Sequence, residues 1–268
     1  MGFVFEYFFI KALVASVFAG FACGIIGTWI YLLNIPFVGV AMAHAAFAGA
    51  VIGLFLGVNP ILFAALFCVI SSFFIGPIAE RGDFSPNIST GILFSFMLAV
   101  AFLFIGKAGV NASEALSLMW GNILTVSVKD VYLLIIVSLA IFVFFLIFKK
   151  WITAVIYNRA VASASGIPEK FIFYSLLILC ALTVSLNIRT IGGLLIYGLI
   201  TIPPATAVIF AKSLRSLYIL SSGFAVFACV AGLFVSYFFD LPAGASAIIT
   251  ASAVFGLSFF IKKVFMEK

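Results

Sequence analysis

The chain has 268 residues, of which 66% are hydrophobic and only 8% charged. Soluble domains carry roughly 25% charged residues, so a soluble fold is excluded and nearly all of this chain must sit in lipid. A net charge of +6 would point to nucleic acid in a soluble protein. Here the basic residues fall in short loops, where they set membrane orientation, and no nucleic-acid partner is expected.

The apolar runs are longer and more continuous than the alternating segments of about 10 residues that a membrane barrel shows. Helices, which satisfy their own backbone groups, are therefore the predicted elements. Taken in chain order, spans are predicted at 8–33, 37–57, 59–79, 87–106, 131–148, 171–186, 191–211, 217–239 and 244–261. That is an all-α polytopic membrane protein with about 8 to 10 transmembrane helices, the range allowing for a re-entrant or amphipathic segment. The first run continues as a span and is not read as a cleavable signal. The longest polar interruptions are 107–130 and 149–170, and no soluble domain interrupts the chain, so residues 1–268 form a single transmembrane domain.

With the C-terminus inside, Arg81, Lys149, Lys150, Arg159, Lys170, Lys212, Arg215, Lys262, Lys263 and Lys268 lie on the inner side. Lys11, Lys107, Lys129 and Arg189 are left outside, so 10 of the 14 basic residues favour this orientation. Small residues crowd the first two spans, among them Gly20, Gly24, Ala41, Ala45 and Gly49, and predict close helix packing in a compact bundle.

The chain has no GxxxxGK[ST], HExxH or GxSxG motif and no paired catalytic carboxylates. It is not read as an enzyme, and any ATP hydrolysis must be supplied by another chain. Cys23, Cys68, Cys180 and Cys229 all fall within apolar runs without CxxC spacing and are read as packing residues. No covalently bound cofactor is expected.

Four features could carry chemistry. The lone histidine, His44, lies between Ala43 and Ala45, with Ala41 and Ala48 on adjoining turns. An imidazole at membrane depth is a functional-site candidate, against the alternative of a neutral ring bonded to a neighbouring carbonyl or hydroxyl. It stands about 7 residues, or roughly 10 Å, from the inner end of its span. Asp240 closes a span ahead of Pro242 and Gly244, as a pathway carboxylate or as a solvated helix cap. In 191–207, Gly192 and Gly193 together with Pro203 and Pro204 bracket an apolar run and mark a kinked, pathway-lining helix or a static bend. The segment 151–170 holds a short helix from about Ala160, ended by Gly166 and Pro168, and is either a docking element for a partner or a surface loop.

In this order, the motifs resemble those of the permease subunits of bacterial metal-ion ABC importers, the zinc, manganese and iron type. The resemblance rests on GVAMAHAAFAGAVIG around His44, ASEALSLMWGNILTVS at 112–127, YNRAVASASGI at 157–167, GGLLIYGLITIPPATA at 192–207 and DLPAGAS from Asp240. It implies a type II ABC importer fold, a homodimer in the cell membrane of a bacterium or archaeon, separate cytoplasmic ATP-binding subunits and an extracytoplasmic solute-binding protein. Tyr157, Asn158, Ala162 and Gly166 would belong to the ATPase-coupling segment near 157–168. His44 and Asp240 would contact the divalent metal ion that is the transported substrate.

The chain departs from the family pattern in three places. Val40 stands where an acidic residue is expected one turn before His44, Asn158 where an Asp is usual, and Leu33–Asn34 where a basic pair is expected. The loss at position 40 removes an anionic ligand at i and i+4 with His44. Three consequences stand open: a weaker site that still transports, which is the expectation; a thiol contribution from Cys23, which would favour softer ions; or a different cargo such as a chelated metal. The expected function is thus an ATP-driven metal-ion permease working by alternating access. The alternative is an ion-coupled carrier or channel that needs no ATPase.

Overall fold

The computed structural model describes residues 7–81, 86–107, 117, 119, 121, 126–188, 190–193 and 196–266. Among the described residues there are ten α-helices and no strand: α1 (Tyr7–Leu32), α2 (Phe37–Phe55), α3 (Pro60–Arg81), α4 (Pro86–Lys107), α5 (Val128–Tyr157), α6 (Arg159–Ala164), α7 (Glu169–Asn187), α8 (Ile196–Phe210), α9 (Leu214–Phe239) and α10 (Ala243–Ile261). A short π-helical turn, Lys262–Met266, follows α10. Seven of these helices are long and apolar enough to cross a membrane, while α3 and α8 contribute shorter apolar stretches.

Each predicted span is a helix, and two need correction. The fifth continues through Lys149 and Lys150 to Tyr157, giving a 30-residue helix where an end at 148 was expected. Charged residues end a hydropathy window but not a helix, since Lys is a good helix former. The seventh begins at Ile196 and not at 191. Gly192 has φ +99°, a left-handed conformation that no helix can include, so 190–193 is a turn.

Four helix ends close in the same way. Asn34, Gly57, Gly166 and Asp240 all adopt positive φ, and the next residue's N–H reaches the carbonyl five residues back: Ile35 to Ile30, Val58 to Gly53, Ile167 to Ala162 and Leu241 to Ser236. This closure satisfies orphan carbonyls and reverses the chain sharply. It produces the short connections α1–α2, α2–α3 and α9–α10, and in the last two the joined helices pack on each other.

Close packing follows the small residues. Gly20 and Gly24 of α1 lie against the backbone of Val226 and Ser222 in α9, and Gly49 and Gly53 of α2 against Phe63 and Pro60 in α3. Polar bonds tie α1 to α9 and to α5: Ser221 Oγ donates to Gly24 O at 2.9 Å and Ser138 Oγ to Phe18 O at 2.9 Å. The central core joins Ile26 and Trp29 of α1, Phe47 of α2, Ile141 of α5, Leu177 of α7 and Leu199 of α8.

Candidate functional site

The most enclosed helix is α2, whose small residues let α3 and α4 approach closely, with α7 and α8 completing its surroundings. His44 lies in its middle and is 7% exposed. Its Nδ1 is 3.0 Å from the carbonyl oxygen of Val40. A carbonyl can only accept, so Nδ1 carries the proton and donates, and the lone pair of the ring is on Nε2. Phe94 of α4 meets the ring edge-on, with centroids 4.5 Å apart and planes at 81°. Neither Phe94 nor its distance from His44 could be read from the sequence, because the pair joins two helices.

Next to His44, the α7–α8 connection folds inside the protein. Asn187 and Thr190 are fully buried. Asn187 Nδ2 donates to Thr183 O at 2.8 Å, and Thr190 Oγ1 donates to Asn187 O and Oδ1 at 3.0 and 3.1 Å. Ile191 N–H returns to Asn187 O at 2.9 Å. These bonds satisfy an irregular backbone that lipid could not solvate. Gly193 faces Ala43 O, the residue before His44; a Cβ placed there would lie 3.7 Å from that oxygen. Gly192 in turn lies against Gly121, at which a Cβ would overlap Gly192 N and Ile191 C. Gly193 is thus brought beside the residue that precedes the histidine. Most of the 112–127 motif lies outside the described residues.

Pro203 and Pro204 lie within α8 and are buried. Lacking N–H groups, they leave Leu199 O and Ile200 O without helical donors. Gly27 of α1 packs directly onto Ile200 O, in a space a Cβ would fill. Beside this contact is a cavity of about 470 Å³ lined by Gly27, Tyr31, Asn34, Tyr197, Thr201 and Ala205, among others.

Asp240 is exposed at the end of α9, with φ +52°. Ser236 Oγ holds the same end by donating to Leu241 O at 2.6 Å. No side chain caps α10, so Asp240 closes α9 through its backbone and does not cap the helix that follows. His44 and Asp240 stand on α2 and α9, which are joined by α8 as a neighbour of both. Cys23 is buried on α1, whose main neighbours are α9, α8 and α5. Among the described residues, no three His, Cys, Asp or Glu side chains gather into a group that could hold a metal.

At the far end of α5, Tyr157 is 89% exposed and Ala162 is buried. Asn158 caps α6, its Oδ1 accepting from Val161 N–H at 3.0 Å. Asn and Asp are equivalent N-caps, so the departure at position 158 preserves this role. Gly166, at φ +77°, turns the chain toward α7.

Three comparisons bear on this architecture. Residues 5–262 match the family model described as the ABC 3 transport family. The chain is 31% identical over 255 residues to the manganese import system permease protein ScaB of Streptococcus gordonii, covering 95% of this chain and 91% of that one. It is 29% identical, over the same shares, to the manganese transport system membrane protein MntC of Listeria monocytogenes. Its fold superposes on PsaBC from Streptococcus pneumoniae, solved in complex with Fab, with a TM-score of 0.84, 31% identity and coverage of 95% of this chain and 92% of the other. The chain therefore belongs to the ABC 3 transport family, as a multi-pass cell-membrane permease of the metal ABC importer type.

Proposed function

We propose that the chain is the permease subunit of an ATP-driven importer of a divalent metal ion, with manganese the first candidate among manganese, zinc and iron. The relatives named for manganese support that order. The observation that carries the reading is the position of His44: a buried ring whose Nδ1 is tied to Val40 O beside a broken helix connection. Such a second hydrogen bond orients a metal-ligating imidazole and raises its basicity. Nε2 of His44 and the exposed carboxylate of Asp240 would contact the ion in passing. Cys23 would join only if the cargo were a softer ion.

With Val40 in place of a carboxylate, the path offers little protein charge. Weak holding suits a transporter, which must release what it binds. ATP hydrolysis would occur on separate cytoplasmic subunits that dock on 157–168, with Tyr157, Asn158, Ala162 and Gly166 shaping the contact. A solute-binding protein would deliver the ion from outside to a homodimeric permease that alternates access. The test is uptake of manganese, zinc and iron into proteoliposomes holding the chain with and without its ATPase subunits. Uptake should require both the ATPase and ATP. Full-rate uptake by the chain alone would replace this reading with a carrier or channel.

A further inference from the structure

The first residue of the short helix α6 is tied to α7 by its side chain. Arg159, the first residue of α6, donates from Nε to Glu169 Oε2 at 2.9 Å, and its second guanidinium nitrogen lies 2.8 Å from the same oxygen. Its Cζ stands 4.1 Å from the centroid of the Phe173 ring. Glu169 and Phe173 are one turn apart on α7, so the guanidinium lies along that turn, paired at one end and stacked at the other. The Glu169 side chain is 12% exposed and that of Arg159 31%, so this pair is partly shielded from the solvent screening that makes surface pairs weak.

The remaining connection between α6 and α7 is a left-handed glycine, Gly166, followed by Ile167 and Pro168. It sets a direction, and Ile167 packs against the core. By contrast α7 contains neither glycine nor proline from Glu169 to Asn187. A straight helix of that length is about 28 Å long. Its far end, through Ile188, packs on Gly193, which faces Ala43 O beside His44. One rigid element therefore runs from the Arg159 lock to the backbone around the histidine.

We infer that Arg159, held by Glu169 and Phe173, is a positioning residue that transmits movement of the coupling segment into α7 and from there to the His44 region. This rests on the docking of ATP-binding subunits at 157–168. Neither partner of Arg159 touches the cargo, so the effect falls on coupling and not on metal affinity.

The test uses the full transporter in proteoliposomes, with manganese uptake and ATP hydrolysis measured on the same vesicles. Arg159→Gln and Glu169→Gln should still assemble with the ATPase subunits and hydrolyse ATP. Uptake per ATP should fall about tenfold, the ratio that loss of one charge-assisted hydrogen bond represents, at an unchanged KM for the metal. The exchanged pair, Arg159→Glu with Glu169→Arg, should recover most of the lost coupling, which a general packing defect would not. Where Arg159→Gln does not assemble, Arg159→Lys and Phe173→Leu are read for the same ratio. Unchanged uptake per ATP in the assembled variants, or no recovery in the exchanged pair, overturns the inference. Wild-type uptake without ATPase subunits overturns the functional reading itself, and so separates the two failures.

Discussion

The imidazole Nδ1 of His44 and the carbonyl oxygen of Val40 are 3.0 Å apart, one turn from each other on α2. The side chain at 40 gives up a carboxylate while its backbone keeps the ring aimed. Val40 is only half-buried. Val40→Asp should therefore fold and lower the KM for manganese uptake by about tenfold, as an added anionic ligand at i and i+4 would. An unchanged KM would place position 40 away from the path.

His44→Ala removes the Nε2 lone pair and leaves a small void in a tightly packed helix. We expect uptake of every divalent ion tested to fall at least about tenfold. His44→Gln, similar in size and able to keep the bond to Val40 O, should fold normally and still transport poorly. Uptake at the wild-type rate in both variants would remove His44 from the mechanism. Cys23→Ala in the same assay isolates the thiol: unchanged preference among zinc, manganese and iron leaves it a packing residue.

At Asp240 the two roles can be divided, because the residue closes α9 with φ +52° while its carboxylate is exposed. Asn and Gly both accept the left-handed conformation. Asp240→Asn and Asp240→Gly should keep the melting temperature in detergent within about 0.5 kcal/mol of wild-type stability. Transport should nonetheless drop. Asp240→Val should lose stability as well, by about 1–2 kcal/mol, since a β-branched side chain opposes this conformation, which Asp tolerates. Normal uptake in the Asn and Gly variants would reduce Asp240 to a helix terminus.

The glycines of the bundle offer a stability contrast. Gly27 lies against Ile200 O, the oxygen that Pro204 cannot bond. Gly27→Ala should cost about 2–3 kcal/mol through forced separation of α1 and α8, seen as a lower unfolding temperature in detergent. Gly223 on α9 has nothing within 4 Å of a built Cβ. Gly223→Ala should be neutral or gain up to about 1 kcal/mol from helix propensity. Equal stability of the two variants would contradict the packing described at α1–α8.

Hydropathy made the helices legible, because a lipid-embedded segment must be apolar almost throughout. It placed α2 and α10 within two residues of their observed ends. It failed where depth and backbone part company. Residues 191–193 are apolar and buried, yet Gly192 and the Asn187–Thr190 bonds make them a turn. The Gly192–Gly193 pair carried that signal, read as a kink where it lies in the turn between α7 and α8. The four site features were legible as residue types in unusual places. Their partners were not: the Phe94 edge on His44, the Gly121–Gly192 contact and the Arg159–Phe173 stack each join elements whose separation in sequence says nothing of their distance.

The helix α5 is longer than a bilayer core requires. Its 30 residues make a rod of about 45 Å, against a hydrocarbon core of roughly 30 Å. Lys149 and Lys150 fall where such a rod, entering lipid near Val131, would leave the acyl chains. The last two turns, ending at Tyr157, then stand among and beyond the headgroups as a stalk. On the docking proposed for 157–168, the stalk's length would set how far from the bilayer a partner on α6 sits.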